Sequence, residues 1–595
     1  MTIGRPAPTD TGAAAGVDGQ PASDDSRCRG DVEPPAGGNG RFLALALALF
    51  LALTAVMTYP QVLRMSDGVH DPADPLMVTW VLAWVAHQLP NAPARIFDAN
   101  IFYPERNTLA YSETLLVPGL LAAPLHWAGL APILIYNLVF LSGFALSGVG
   151  VALLVRRLTG NAGAGIVAGI VFAFPPYRID HYAHLQLQQT QFIPLALWAF
   201  HRLLDSGRLR DGVLLGVCTA GQMLSCMYYG IFLIPYMAVV CGTMLIAAGV
   251  LPARRLAALA VAVAIVTVAM FPVGRAYLAA RKVVGERGRD EVAQNSATWR
   301  NYLAPPEANA VYGRVFARFM DPERRLFPGF VAVALAIVGL WPRTRRGTKE
   351  KHYVRSVPFA YALGLLLAFD VSLGFNGLIY RGLYDYFLPF KALRIPARMG
   401  LMVGFSLAVL AGYGATRIVD GLRSVKTRRA VLTMIGVVML VEYASTPLVL
   451  WAAPRRPPQA YADLMRDAGE GPTSVLFEFP TGAMEDPEYL YYSTFHWQYL
   501  VNGYSGFFPP SYQRIVNAAR GFPDETSMNM IRSHGVRYLV IHGEWLYGAR
   551  YEELVADLDR RPDVKLVSRH PWQRENKHAE ISVYRLLTAS DATSR

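Results

Sequence analysis

GVHDPADPLMVTWVLAWVAHQL (68–89) and IFDANIFYPERNTLAYSETLL (96–116) stand between two apolar runs of membrane-crossing length. The first run ends near Tyr59 and the next starts near Pro132, so about seventy residues separate them. A crossing helix needs roughly 20 apolar residues. The interval is neither a tight turn nor a polar tail. It carries Asp67, Asp71, Asp74, Asp98, Glu105 and Glu113 among aromatics and amphipathic runs. A large ordered loop after the first span, with acids at the mouth of a membrane bundle, suggests chemistry there.

The rest of the chain supports a membrane setting. Of its 595 residues 53% are hydrophobic and 17% charged, and the mean hydropathy is +0.26. Soluble domains average about 25% charged residues. Candidate spans lie at about 42–59, 132–155, 161–175, 190–204, 212–227, 229–250, 255–273, 326–342, 356–372, 397–418 and 429–450. The fold class expected is a mainly α, polytopic transmembrane helix bundle of about 11 spans. The apolar run 114–129 is interrupted by Pro118 and Pro124 and reads as a re-entrant or surface-lying helix. The net charge of +12 does not point to nucleic acid, because the excess sits in short loops between spans. Cys28, Cys218, Cys226 and Cys241 show no CxxC or metal spacing, so no disulfide framework is expected. Residues 1–40, rich in Gly, Ala, Pro and Asp, read as a disordered cytoplasmic tail and not as a signal peptide.

Charge sets the expected orientation. With a cytoplasmic N-terminus and 114–129 not crossing, one face collects every basic cluster of the short loops. These are Arg156-Arg157, Arg202/Arg208/Arg210, Arg254-Arg255, the run 342–355, and Arg417 through Arg428-Arg429. That is the positive-inside pattern. The outer face then holds loop 60–131, segment 175–191, loop 274–325, segment 373–398 and everything after about 451. Residues 41–450 form the transmembrane module. Near 455–590 the character changes: VLFEFP (475–480), RYLVIHG (537–543) and ISVYRLL (581–587) read as strands, and YEELVADLDRR (551–561) as an amphipathic helix. An extracytoplasmic α/β domain is expected there.

Several polar groups on that face admit two readings. Asp74-Pro75, like Asp71-Pro72, opens a helix, where Asp caps and Pro starts. Either acid could equally serve as a base toward an acceptor hydroxyl, or hold a cation. Glu113, in YSETLL, could cap the run that follows it or face a substrate. Arg178, Asp180, His181 and His184 form a dense polar patch; two ligands at i, i+4 do not make a zinc site. Arg394 and Arg398 in LRIPARMG either snorkel or clamp a lipid-linked phosphate. The aromatic stretch YYSTFHWQYLVNGYSGFFPPSY (491–512) is a packed contact, a sugar platform or a lid. No phosphate-binding Gly loop, Ser-His-Asp set or H-E-x-x-H is apparent.

The layout resembles the GT-C glycosyltransferases. A short lead and one span precede a large outer loop with an acidic motif, HDPADP, then a second outer loop, PYRIDHYAH, and a terminal soluble domain. More closely, DPLMVTWVLAW, FDANIFYPERNTLAYSE, RRLTG, FAFPPYR, NSATWRNYLAPP, LRIPAR and the aromatic stretch resemble a bacterial subgroup of predicted glycosyltransferases, over much of 60–545. In that subgroup glycine usually precedes the acid; here the triplet is ADP (73–75), which points to Asp74 with Asp71 as understudy. The residue after YSE is commonly His, and here it is Thr114.

The resemblance implies a multi-pass enzyme of the bacterial inner membrane. It would move a sugar from a polyprenyl-phosphate donor to an extracytoplasmic glycan, lipid or protein acceptor, with inversion. Asp74 would be the base, and Glu113, Arg178, Asp180, His184, Arg394 and Arg398 would bind substrate. No cofactor is required, and a divalent cation (Mg or Mn) at Asp71/Asp74 is allowed. A transporter or flippase of a lipid-linked saccharide, and a non-catalytic membrane scaffold, are the competing readings.

Overall fold

The computed structural model describes residues 36–316, 323–341, 352–445, 447–469, 473–546, 549–574 and 577–587. Most of the expected 1–40 tail and residues 342–351 of the basic run lie outside the described residues. What is described is mainly helical, with a small sheet near the C-terminus.

Among the described residues six helices are long and apolar enough to cross a membrane. They are Gly40–Met57, Pro132–Thr159, Ala162–Asp180, Met227–Ala248, Ala253–Val284 and Pro396–Asp420. The other five expected spans are also helices, but they do not reach that mark. Phe192–Ser206, Leu209–Ser225 and Phe330–Leu340 have 15, 17 and 11 residues. The apolar part of His352–Ser372 starts at Ser356, and Val425–Tyr443 opens on Lys426, Arg428 and Arg429.

Pro132–Thr159, Ala162–Asp180 and Pro396–Asp420 are mostly buried and make the centre of the bundle. Gly40–Met57 and Ala253–Val284 lie at its edge with apolar side chains such as Leu45, Val56, Val263 and Val268 exposed. Small residues let Phe330–Leu340 approach the central helix Pro396–Asp420 closely. A Cβ on Gly339 would collide with the Leu410 carbonyl, and one on Gly414 with the Leu335 carbonyl. Such contacts are how helices associate where lipid offers no hydrophobic drive.

The first long loop is ordered. Its helix Asp74–Asn91 packs against Leu116–Trp127, the apolar run expected not to cross. At 12 residues that second helix is about 18 Å long, short of a hydrocarbon core of about 30 Å.

Near the C-terminus the strands are β3 (Val475–Phe479), β4 (Tyr499–Leu500), β5 (Tyr538–His542), β6 (Val564–Arg574) and β7 (Lys577–Leu586), in the order β4-β3-β5-β7-β6. β3 runs parallel to β4 and β5, while β7 is antiparallel to β5 and β6. The two parallel central strands are buried throughout, which is why VLFEF and YLVIH read as nearly continuous apolar runs. A further two-residue pair joins this end of the chain to the first loop: β1 (Gly68–Val69) lies antiparallel to β2 (Trp451–Ala452).

Candidate active site

The sequence DPADP builds its own turn. Asp71 Oδ1 accepts from the backbone N–H groups of Ala73 (2.8 Å) and Asp74 (3.3 Å). That is an Asx turn, and it starts the helix in which Pro75 occupies the first turn. Asp71 therefore takes the capping task. Asp74 has a different environment. Its Oδ1 accepts from the Tyr504 hydroxyl at 3.0 Å, and its Oδ2 lies 3.2 Å from His184 Nε2. Both side chains are partly buried. Burial pushes the Asp74 carboxyl above its ordinary range, against the pull of the Tyr504 hydroxyl and then of Arg398. A carboxylate so placed is a stronger base than one in water.

His184 comes from the loop 181–191, which Arg178 organises. Arg178 is fully buried. Its Nε donates to Gln188 Oε1 (2.9 Å), its Nη2 to the Gln188 carbonyl (2.6 Å), and its guanidinium lies over Phe144. Gln188 Nε2 returns hydrogen bonds to the carbonyls of Arg178 and His181. The loop is thereby tied to the bundle, and His181 and His184 project from it. Burial pushes the His184 imidazole down to about 3, so the ring is neutral near pH 7. With Asp74 ionised, a neutral ring presents its Nε2 proton to Oδ2. His184 Nδ1 is buried and makes no hydrogen bond.

The arginines of LRIPARMG are held by Tyr228. The Tyr228 hydroxyl accepts from the backbone N–H groups of Arg394 (2.6 Å) and Ile395 (3.0 Å), and the Arg398 guanidinium sits over its ring at 4.9 Å. Tyr228 is fixed in turn by Glu113, whose carboxylate accepts from the N–H groups of Met227 (2.6 Å) and Tyr228 (3.0 Å). Glu113 thus caps the start of the span Met227–Ala248, not the helix that follows it in sequence. Arg398 Nη2 reaches Glu323 Oε2 at 3.2 Å, and His181 Nε2 is 3.5 Å from the same oxygen. Burial opposes the ionised form of Glu323, but Arg398 and then His181 outweigh it and hold the carboxyl well below the usual range. Both Arg394 and Arg398 are near enough to Asp74 to act on its charge. Arg394 is half-buried and has no ion-pair partner among the described residues.

Of the sequence-predicted residues, Asp74, His184, Arg394 and Arg398 therefore come together. Asp71, Glu113 and Arg178 support the elements that carry them. Asp180 pairs with Arg325 at 2.8 Å. Sequence reasoning did not single out Tyr504, Glu323 or Tyr228. Tyr504 lies in the aromatic stretch it had marked, but a tyrosine among so many carries no individual signal.

Among the described residues no group of three or more His, Cys, Asp or Glu is disposed to hold a metal ion. Asp71 and Asp74 do not face each other as a ligand pair: one turns to backbone N–H groups, the other to Tyr504 and His184.

No protein-family model matches the chain, and no curated protein does. Solved structures of an oligosaccharyltransferase from Archaeoglobus fulgidus are similar to it. One is the archaeal oligosaccharyltransferase AglB in complex with an inhibitory peptide and a dolichol-phosphate. It is 13% identical, with a TM-score of 0.42 over 85% of this chain and 70% of that one. The other, in complex with Zn and sulfate, is 14% identical, with a TM-score of 0.42 over 86% and 69%.

Proposed function

We propose that the chain is an integral-membrane glycosyltransferase that takes a sugar from a polyprenyl-phosphate carrier and places it on an acceptor hydroxyl at the outer face. The observation that carries this reading is the setting of Asp74. A scaffold would use the acids of the first loop as caps, and Asp71 does so. Asp74 instead points its two oxygens at Tyr504 and His184.

Asp74 takes the acceptor proton as the new glycosidic bond forms. His184 and Tyr504 hold both carboxylate oxygens in place until then, so little reorganisation is left for the reaction itself. The anomeric carbon passes through an oxocarbenium-like state, and the bond to the carrier phosphate breaks as the acceptor bond forms. A single displacement of this kind inverts the anomeric centre. Negative charge grows on the leaving phosphate. Arg394, which has no carboxylate partner among the described residues, meets it together with Arg398.

Asp74→Asn tests the reading. The side chain keeps its size and its Tyr504 contact but loses its basicity. Membranes carrying the variant should hold folded protein at the wild-type level and transfer no sugar from a polyprenyl-phosphate donor, a loss of about 100-fold or more on the scale of a general base. Undiminished product from that variant would remove Asp74 as the base.

A further inference from the structure

Near Asp74 one of the chain's own carboxylates meets a buried arginine and a buried histidine. Arg398 is only 5% exposed and His181 only 2%. Both aim at one atom, Glu323 Oε2, at 3.2 and 3.5 Å. Arg398 uses only half of its binding edge there. Its Nε, on the same edge as Nη2, is buried and makes no hydrogen bond. A guanidinium edge is built to hold two oxygens at once.

Glu323 is the weakest-anchored member of the group. Its side chain is a third exposed, in contrast to the two groups it meets. Its backbone adopts φ +62°, a left-handed conformation unfavourable for a residue with a Cβ. The Tyr228 ring under Arg398 holds the guanidinium in place independently of Glu323. The buried cation therefore has a fixed seat and a replaceable counter-ion. A buried guanidinium without any counter-ion would be costly, which gives a placeholder its purpose.

We propose that Glu323 is an exchangeable stand-in for a phosphoryl group. When the ligand enters, the Glu323 carboxylate leaves Arg398 toward solvent. Two phosphoryl oxygens then take Arg398 Nε and Nη2. The ligand class is a phosphate ester, with the headgroup of a prenyl carrier and free phosphate as its two sources. The choice of a carrier headgroup rests on the glycosyltransferase reading; the exchange itself does not.

The test uses the full chain in detergent micelles and reads binding alone. Inorganic phosphate and a short prenyl monophosphate are titrated separately into wild type, Glu323→Gln and Glu323→Gln/Arg398→Gln. Glu323→Gln should bind the prenyl monophosphate about fivefold tighter than wild type, the scale of a partly exposed ion pair. The gain should vanish in the double variant. If that double variant does not fold, Glu323→Gln/Arg398→Lys, which keeps the charge but loses the two-oxygen edge, should show a reduced gain. An equal gain for inorganic phosphate assigns the site to free phosphate, and a gain confined to the prenyl compound assigns it to the lipid headgroup. Binding by Glu323→Gln no tighter than wild type overturns the proposal, as does a gain that survives loss of Arg398. Because no sugar transfer is read, a failed Asp74 assignment leaves this result intact, and the reverse also holds.

Discussion

Asp71 and Asp74 are three residues apart in the same motif, each followed by proline, and one of them caps while the other does not. The sequence could not separate them by propensity, since Asp is an equally good cap at either position. What separates them is long-range: Tyr504 lies 430 residues away and meets Asp74 at 3.0 Å. The resemblance to a family pointed to Asp74, and the geometry gives the reason why it has no capping task. Tyr504 also sets a pH dependence. With Asp74 as the proposed base, transfer needs it ionised, so the rate should fall as pH drops through its pKa, which burial has raised. The Tyr504 hydroxyl favours the ionised form and partly offsets that rise. Tyr504→Phe removes the offset, so the acid limb of the rate profile should move to higher pH. The plateau at alkaline pH should fall much less. A pH–rate profile of donor turnover checks this. An acid limb that stays put would mean that another group controls it.

At the scale of elements the sequence was most legible where one face of a helix or strand is uniformly apolar. Eleven helices stand where eleven apolar runs were read, and the buried strands β3 and β5 match VLFEFP and RYLVIHG. β6 was missed. Its sequence VKLVSRHPWQR breaks the pattern with charges and Pro571, which a strand at the sheet edge tolerates. β4 was missed because two residues carry no periodicity. The aromatic stretch 491–512 proves to be a packed junction. Leu500 N–H donates to the Asn100 carbonyl, Phe102 N–H to the Asn502 carbonyl, and Trp497 stacks on His87 at 4.2 Å between ring centres. Gly503 sits beside Tyr504 in this junction. A Cβ there would lie 2.5 Å from the Phe102 ring, which is buried and hemmed in by Tyr111 and Tyr512. Gly503→Ala should therefore lower stability by about 1–3 kcal/mol, as overpacking does. It should also shift Tyr504 off Asp74, moving the acid limb in the same direction as Tyr504→Phe. Thermal unfolding together with the pH profile measures both effects. Wild-type values in both would show that the junction yields without disturbing the site.

For the whole molecule, contact between its two ends constrains how often it crosses the membrane. The first long loop and the chain after residue 450 touch through β1–β2, through Asn100 and Leu500, and through Asp74 and Tyr504. They must lie on one side of any bilayer the bundle spans, so the crossings between them must be even in number. Of the six long apolar helices, five fall between those segments: Pro132–Thr159, Ala162–Asp180, Met227–Ala248, Ala253–Val284 and Pro396–Asp420. Five is odd. If all five cross, an odd number of the shorter or more charged helices must cross as well; an eleven-span arrangement, with ten between, satisfies the rule where six does not. The five helices below the mark fall short through length or through basic residues at one end. Charge then decides which side is which. Arg106 in the first loop, Glu525 near the C-terminus and Arg423 in a basic inter-helix loop are all exposed. In a Cys28→Ser background, Arg106→Cys and Glu525→Cys should both react with a membrane-impermeant maleimide on intact cells. Arg423→Cys should react only after the membrane is opened. Reaction of the first two from opposite sides would break the shared face on which the site depends. Reaction of both only after opening would keep that face and reverse the orientation read from the charges.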